Sequence, residues 1–393
     1  MFRAARDVNL MLCWLLAVAL ALATPAAATP TDALQAELEK LRQEAAFPGA
    51  VAAVVMPDGT PHTAAVGEAD VQRKLPMTPD HRMLSGSTGK SFVAAVALAL
   101  AQEGRLNLDA PIARWLGDRP WFPRLPNGAA ITTRMFLRHR SGLPDHIHLP
   151  AFQAAAKRRI TGREGDADYA FPPEALVGFV LDAEPLFAPG AGYAYSDTNY
   201  ILAGLVIEAV TGRDYEAELR ERFLTPLDLS QTAPAEGRRF DRLASGYIRG
   251  EAPFGLPEKV AKGGVLAYNP ATEWTGGGLI TNARDLARWA WRLYAGAAMP
   301  GDYRGELLDG VPKDASQQAR YGEAVRYGLG VTIRQTPLGP AYGHRGWTPG
   351  YLSVFEYYPR HRLAVALQIN ELGDHDMSHY AVRLARAIIA ARD

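Results

Sequence analysis

Cysteine is nearly absent from this chain of 393 residues, Cys13 being the only one. One thiol allows no internal disulfide and no cysteine-rich zinc site, so the fold must rest on its core. Excess charge is absent too. Lys and Arg together number 42, and so do Asp and Glu. That removes the basic stripe needed to bind phosphate backbones, and with it any reason to expect a nucleic-acid partner. The run Lys157-Arg158-Arg159 is short and isolated and reads as a solvated helix face. Long apolar runs are lacking as well. Leu10 to Ala23 is apolar over 14 residues, short of the ~20 that spanning a bilayer takes, and no later stretch approaches that length.

The early run has another reading. Arg3 and Arg6 precede it and Ala26-Ala27-Ala28 follows, the layout of a secretory signal over residues 1–28 with an A-x-A cleavage site. A retained anchor is the competing reading. Cys13 lies early in the run, whereas lipidation would need it at the end. The expected product is therefore a periplasmic or secreted chain without cysteine and without a permanent membrane anchor.

What remains is ordinary globular material, 48% hydrophobic and 21% charged, which can bury a core and argues against disorder. Leu34, Leu38, Leu41 and Ala45 recur at helical spacing from Thr31 to Ala46, and Pro48-Gly49 ends that helix. Ala50 to Met56 and Thr60 to Val66 flank the turn Pro57-Asp58-Gly59 and predict a hairpin. From about Leu84 to Trp274 the pattern is mostly helical, with long Gly- and Pro-rich loops. The period then returns to two. Tyr327 to Gln335, Ala341 to Trp347, Leu352 to Tyr358 and Leu363 to Ile369 read as strands, and Met377 to Ala391 as a terminal helix. The expected class is α+β: one antiparallel sheet built from residues 29–83 and 275–393, flanked by the terminal helices, with a mainly helical region over 84–274. Ligand sites tend to lie where two such regions meet.

The segment Ser87-Thr88-Gly89-Lys90-Ser91 opens an apolar helix through Phe92, Val93 and Val96. A Ser and a Lys three apart share one helix face. A lysine pushed toward its neutral form there could take the serine's proton. Two rival motifs overlap. A phosphate-binding loop fits Gly89-Lys90-Ser91, but its first glycine falls on Leu84, and an exported protein meets no ATP. A nucleophile elbow of the α/β-hydrolase kind has Ser85 where its first glycine belongs. Its triad order, Ser87, Asp197, His344, is nonetheless present, so that esterase fold stays open.

Two distant segments add to Ser87 and Lys90: Tyr195-Ser196-Asp197 before an apolar helix, and Gly343-His344-Arg345-Gly346-Trp347 on a strand. Together the three elements resemble the serine β-lactamase and penicillin-binding-protein superfamily. The resemblance is to its branch of class C β-lactamases, serine D-alanyl-D-alanine carboxypeptidases, D-aminopeptidases and β-lactamase-like esterases. The branch pattern is S-x-x-K, Y-x-N, then K-T-G or H-x-G. Arg105-Leu106-Asn107-Leu108-Asp109, Arg140-Ser141-Gly142-Leu143-Pro144 and Thr275-Gly276-Gly277-Gly278-Leu279 add to the likeness.

The resemblance implies that Ser87 is the nucleophile, Lys90 its hydrogen-bonded partner and Tyr195 the proton shuttle. It places oxyanion donors on the backbone N–H groups of Ser87 and Trp347. Asp197, His344, Arg345, Gly346 and Trp347 would line the substrate site. No metal or cofactor is needed. Two residues depart from the pattern. Asp197 stands where Asn is usual and would favour the protonated lysine, leaving more work to Tyr195. His344 stands in for lysine and forfeits a fixed positive charge, unless Arg345 turns inward to replace it. The implied substrate is a small peptide, ester or β-lactam. A D-alanyl-D-alanine carboxypeptidase-like peptidase ranks first, ahead of an esterase or β-lactamase. A silent penicillin- or peptidoglycan-binding protein is the non-enzymatic alternative. The leader makes its own prediction: N-terminal sequencing of the exported protein should begin near Thr29, and an exported form beginning at Met1 contradicts it.

Overall fold

The computed structural model describes residues 29–161, 166–313 and 325–392. The proposed leader, with Cys13, lies outside the described residues. Among these residues no helix is long and apolar enough to cross a membrane.

In chain order the elements that matter are α1 (Pro30–Ala45), β1 (Gly49–Val55), β2 (Pro61–Asp70), α2 (Lys90–Gln102), α3 (Asp197–Thr211) and α4 (Ala283–Ala295). They are followed by β3 (Thr332–Thr336), β4 (Gly339–Thr348), β5 (Tyr351–Tyr358), β6 (Leu363–Ile369) and α5 (Met377–Ala390). One antiparallel sheet runs Val311–Pro312, Arg326–Tyr327, β3, β4, β5, β6, β1, β2, Leu75–Pro76. Strands from both ends of the chain therefore meet at its centre, where Ala50 pairs with Ile369 and Val55 with Ala364.

Both faces of this sheet are covered, which explains why β1 and β6 are buried at every position, and apolar but for Gln368, rather than alternating. Ala50, Ala52 and Val54 face Leu34, Leu38 and Leu41 of α1 and Leu384 and Ile388 of α5. Val51, Ala53 and Val55 belong to the opposite core, together with Leu286, Ala290 and Leu293 of α4. Helix α1 begins on a capping box, Thr29 accepting from the Asp32 N–H while the Asp32 carboxylate accepts from Thr29 N–H. Arg383 of α5 ties back to it by donating to Glu37 at 2.7 Å.

One expected strand is corrected. Tyr327 to Gln335 is two strands, Arg326–Tyr327 and β3, folded back on each other with Tyr327 opposite Thr332. Gly328-Leu329-Gly330-Val331 makes the turn, closed by the Gly328 N–H donating to Val331 O at 2.8 Å. Period-two patterning cannot tell one strand from a hairpin when the turn is itself apolar.

The helical region between the two halves of the sheet is centred on α2. Phe92 stacks on Trp289 of α4 at 4.0 Å, and the Trp289 indole N–H donates to Ser91 Oγ at 2.9 Å. Those contacts lock the start of α2 to the sheet layer. That start carries the candidate chemistry.

Candidate active site

Ser87 sits in a single tight turn, Gly86–Gly89, that runs directly into α2. Two glycines let another strand press against it. A Cβ on Gly86, whose φ is +54°, would lie 2.7 Å from Trp347 N, and one on Gly346 would lie 2.1 Å from Ser85 O. No side chain fits at either place. The end of β4 is thereby brought backbone to backbone against the segment holding Ser87.

Lys90 follows one turn later and is fully buried. Its Nζ donates to Ser87 Oγ at 3.1 Å, and also to Asp197 Oδ1 and to the Gly276 carbonyl. An ammonium has three N–H donors, and here all three have acceptors. The Gly276 carbonyl can only accept and the Asp197 carboxylate is an acceptor when ionised. Of the three, only the Ser87 hydroxyl carries a proton of its own to give up.

Each fixed acceptor is held independently. Asp197 is the first residue of α3, and Ser196 before it is the N-cap without a side-chain cap bond. Asp197 spends its carboxylate on Lys90 rather than on capping. Gly276 follows Trp274, whose φ of 38° and ψ of −121° are strained for a residue with a side chain, at a cost of about 1–3 kcal/mol. That strain is held by the indole N–H donating to Glu216 at 2.6 Å and by the Gly278 N–H donating to Trp274 O at 2.7 Å.

Tyr195 is presented from the loop before α3, its ring centroid 5.2 Å from Lys90 Nζ. Burial first, and the Asp197 charge second, push its phenol well above 10, while hydrogen bonding with Ser87 pulls the other way. The loop is pinned on both sides of Tyr195 by His139. Ala194 N–H donates to His139 O at 3.0 Å, and Ser196 N–H to His139 Nδ1 at 3.2 Å. The imidazole also lies 4.1 Å from the Tyr195 ring. Burial and the Lys90 charge keep His139 well below the usual histidine range, so it is neutral with its proton on Nε2.

His344 is neutral as well, depressed by burial and by Lys90. Its Nδ1 is 2.6 Å from Arg345 O, an acceptor, so Nδ1 carries the proton and Nε2 accepts from Tyr327 OH at 2.8 Å. The α/β-hydrolase alternative therefore fails on two counts. The sheet is antiparallel, and neither Asp197 nor His344 is joined to the other as a triad requires. Arg345 lies opposite Val354, on the face beneath α1 and α5, whereas His344 lies opposite Phe355 on the site side. Strand alternation starts the Arg345 side chain from the face opposite His344, though its charge still adds to the lowering of His344.

Three groups outside the motifs complete the site. Asp145 is nearly buried, and burial and the Asp197 charge hold its carboxyl well above the usual range. Glu273 is raised to about 7 by the same two causes in the same order. His146 is depressed to about 4 by burial, and its Nδ1 lies 3.0 Å from Thr198 Oγ1. A cleft opens beside Lys90, lined by Asp197, Glu273, Gly276, His146 and Trp347, with aromatic walls farther out. The sequence does carry a signal for His139, which immediately precedes the phrase Arg140-Ser141-Gly142-Leu143-Pro144. Asp145 immediately follows the same phrase and shares that signal, whereas Glu273 carries none and is brought in by loop geometry.

The chain is similar to known proteins over most of its length. The beta-lactamase family model matches residues 34–388. Penicillin-binding protein 4* of Bacillus subtilis (strain 168) is 25% identical over 91% of this chain and 75% of its own length. Esterase EstB of Burkholderia gladioli is 29% identical over 84% of this chain and 80% of its own. The D-stereospecific amidohydrolase of a Streptomyces species superposes with a TM-score of 0.74 at 29% identity, covering 91% of this chain and 98% of that one. With its sheet, its paired terminal helices and its Ser–Lys–Tyr arrangement, the chain belongs to the beta-lactamase family of serine hydrolases.

Proposed function

We propose that this protein is an exported serine hydrolase that cleaves small amides and esters through an acyl-enzyme on Ser87. The observation that carries the reading is the Lys90 ammonium, anchored to Asp197 and Gly276 and aimed by its third bond at Ser87 Oγ. That geometry favours catalysis over a silent binding role.

In this reading Ser87 Oγ attacks the acyl carbon while its proton passes to the Lys90–Tyr195 pair. The developing oxyanion lies between the N–H groups of Ser87 and Trp347, each worth roughly 3 kcal/mol in the transition state. The leaving amine or alkoxide departs with the proton returned through Tyr195. Water then attacks the ester and the same groups act in reverse. The pair must first lose one proton, and that ionisation belongs to both residues together.

The substrate class follows from charge. D-Alanyl-D-alanine peptides and β-lactams both bring a carboxylate to the site. Here His344 is neutral, Arg345 lies on the other face, and the wall beside Lys90 carries Asp197 and Glu273. This supports a peptidase, amidase or esterase acting on uncharged leaving groups, ahead of a carboxypeptidase or β-lactamase. The likeness to the amidohydrolase and to EstB points the same way.

Two outcomes follow. Incubation with a p-nitrophenyl ester should leave an acyl group on the tryptic peptide containing Ser87, and Ser87→Ala should lower kcat/KM at least about a thousandfold. An adduct on another residue, or a fully active Ser87→Ala, contradicts the assignment.

Asp197→Asn should move the acidic limb of the pH–kcat/KM profile to lower pH. The Asp197 charge raises Tyr195 and Glu273 alike. Removing it lets either group lose its proton at lower pH, so the active form appears earlier on the acid side. A one-unit move would correspond to about 1.4 kcal/mol of charge interaction. An unmoved or upward-shifted limb in folded variant protein would refute the electrostatic role.

A further inference from the structure

The charges of this chain cancel overall, 42 of each sign, but they are not evenly spread. At the end of the sheet away from Ser87, two hairpin turns and the last turn of α5 come together. The β1–β2 turn supplies Pro57, the β5–β6 turn Arg360, His361 and Arg362, and the end of the chain Ile389 and Arg392. These residues line one depression, and no carboxylate is among them. All three arginines are exposed, and none pairs with a described carboxylate. Elsewhere in the same layer such charges are neutralised. Arg383 of α5 donates to Glu37 and Glu44, and Arg334 of β3 to Glu356. Asp58, in the adjoining turn, accepts from Thr60 N–H at 2.9 Å, and the arginines do not figure among the charges acting on it.

A lone exposed arginine is ordinary. Several without a counter-charge, at one end of a neutral molecule, give it a direction. Arg304 adds to that end, since it and Arg362 both act on Tyr357 of β5. Turn geometry alone would favour Gly or Asn at Arg362, whose φ is +50°, yet the position holds a cation. The catalytic groups lie at the other end. Trp347, pressed against the Ser87 turn, is opposite Leu352, and the run from Leu352 to Tyr358 spans about 20 Å before the basic turn begins. Asp197 and Glu273 line the cleft at the Trp347 end. An anionic surface therefore attracts one end of the molecule and repels the other.

We infer that this end docks, peripherally and reversibly, on an anionic phospholipid surface through Arg360, Arg362 and Arg392, with the cleft facing away. The guanidinium groups come from separate elements and stay exposed, so they spread over a face rather than converge in a buried cradle. Separate headgroup phosphates suit that spread better than one small anion does. Pro57 and Ile389 in the same depression are apolar, as contact with a half-wet interface allows. Each arginine near such a surface strengthens binding roughly fivefold, and three together about a hundredfold. This docking requires nothing of Ser87.

The test is cosedimentation of the protein with vesicles of phosphatidylcholine alone and of an equimolar phosphatidylcholine–phosphatidylglycerol mixture. Binding is expected to the anionic vesicles only. It should be lost at about 1 M NaCl, where the screening length falls to about 3 Å. The variant Arg360→Gln/Arg362→Gln/Arg392→Gln should bind the anionic vesicles at least about tenfold more weakly, while melting with the wild type and keeping its rate of p-nitrophenyl butyrate hydrolysis. Should Arg362→Gln disturb the turn, Arg360→Gln/Arg392→Gln leaves it intact and should still weaken binding at least about fivefold. No binding to the anionic vesicles, equal binding to the neutral ones, insensitivity to salt, or undiminished binding by the variants overturns the inference. So does release of the protein by inorganic phosphate at the phosphate concentration of the vesicles, which would make the depression a pocket for one free anion.

Discussion

Everything at this site depends on one buried ammonium. Lys90 has no exposure to solvent, and an isolated charge so placed would be driven to neutrality or would destabilise the fold. It is tolerated because three acceptors from three parts of the chain converge on it: Ser87 one turn earlier, Asp197 at the head of α3, and Gly276 in the strained loop after Trp274. Breaking such a buried pair by removing one partner typically costs about 3–5 kcal/mol. The lysine therefore sets the chemistry and also ties the loop at Gly276 and the helix at Asp197 to the nucleophile.

The same constraint explains the backbone around it. Gly86 and Gly346 lack side chains because the strand bearing Trp347 must touch the turn bearing Ser87. The unusual conformation of Trp274 points the Gly276 carbonyl at Nζ, and the indole bond to Glu216 keeps it there. His139 holds Tyr195 from both neighbouring peptides. Each device fixes an orientation that the reacting groups could not keep alone, and preorganised electrostatics is where such enzymes gain most of their rate.

Much of this was legible in the sequence because it is local or periodic. The terminal helices, the hairpin at β1 and β2 and the strands β4, β5 and β6 follow from apolar spacing. Ser87 and Lys90 are one helical turn apart and could only meet. A carboxylate at a helix start suits a cap as well as a charge partner, and Asp197 directs its own to Lys90. Arg345 depended on strand register, which the sequence leaves open. The fold-back between Tyr327 and β3 was hidden by an apolar turn. Glu273 was out of reach for a different reason: long-range loop packing brings it to the site, and no spacing rule encodes it.

The central claim is that Ser87 reacts because Lys90, fixed by Asp197 and Gly276, forms with Tyr195 the pair that takes its proton. The most direct test is the acylation rate constant, followed by intact-mass spectrometry with a p-nitrophenyl ester. It should be measured for Lys90→Met combined with Asp197→Asn, against Asp197→Asn alone. The double change removes both charges and leaves no orphaned carboxylate to unfold the site. The expected result is a folded protein whose Ser87 acylates at least about a thousandfold more slowly than in the single variant. Acylation within tenfold of the single variant would contradict the account.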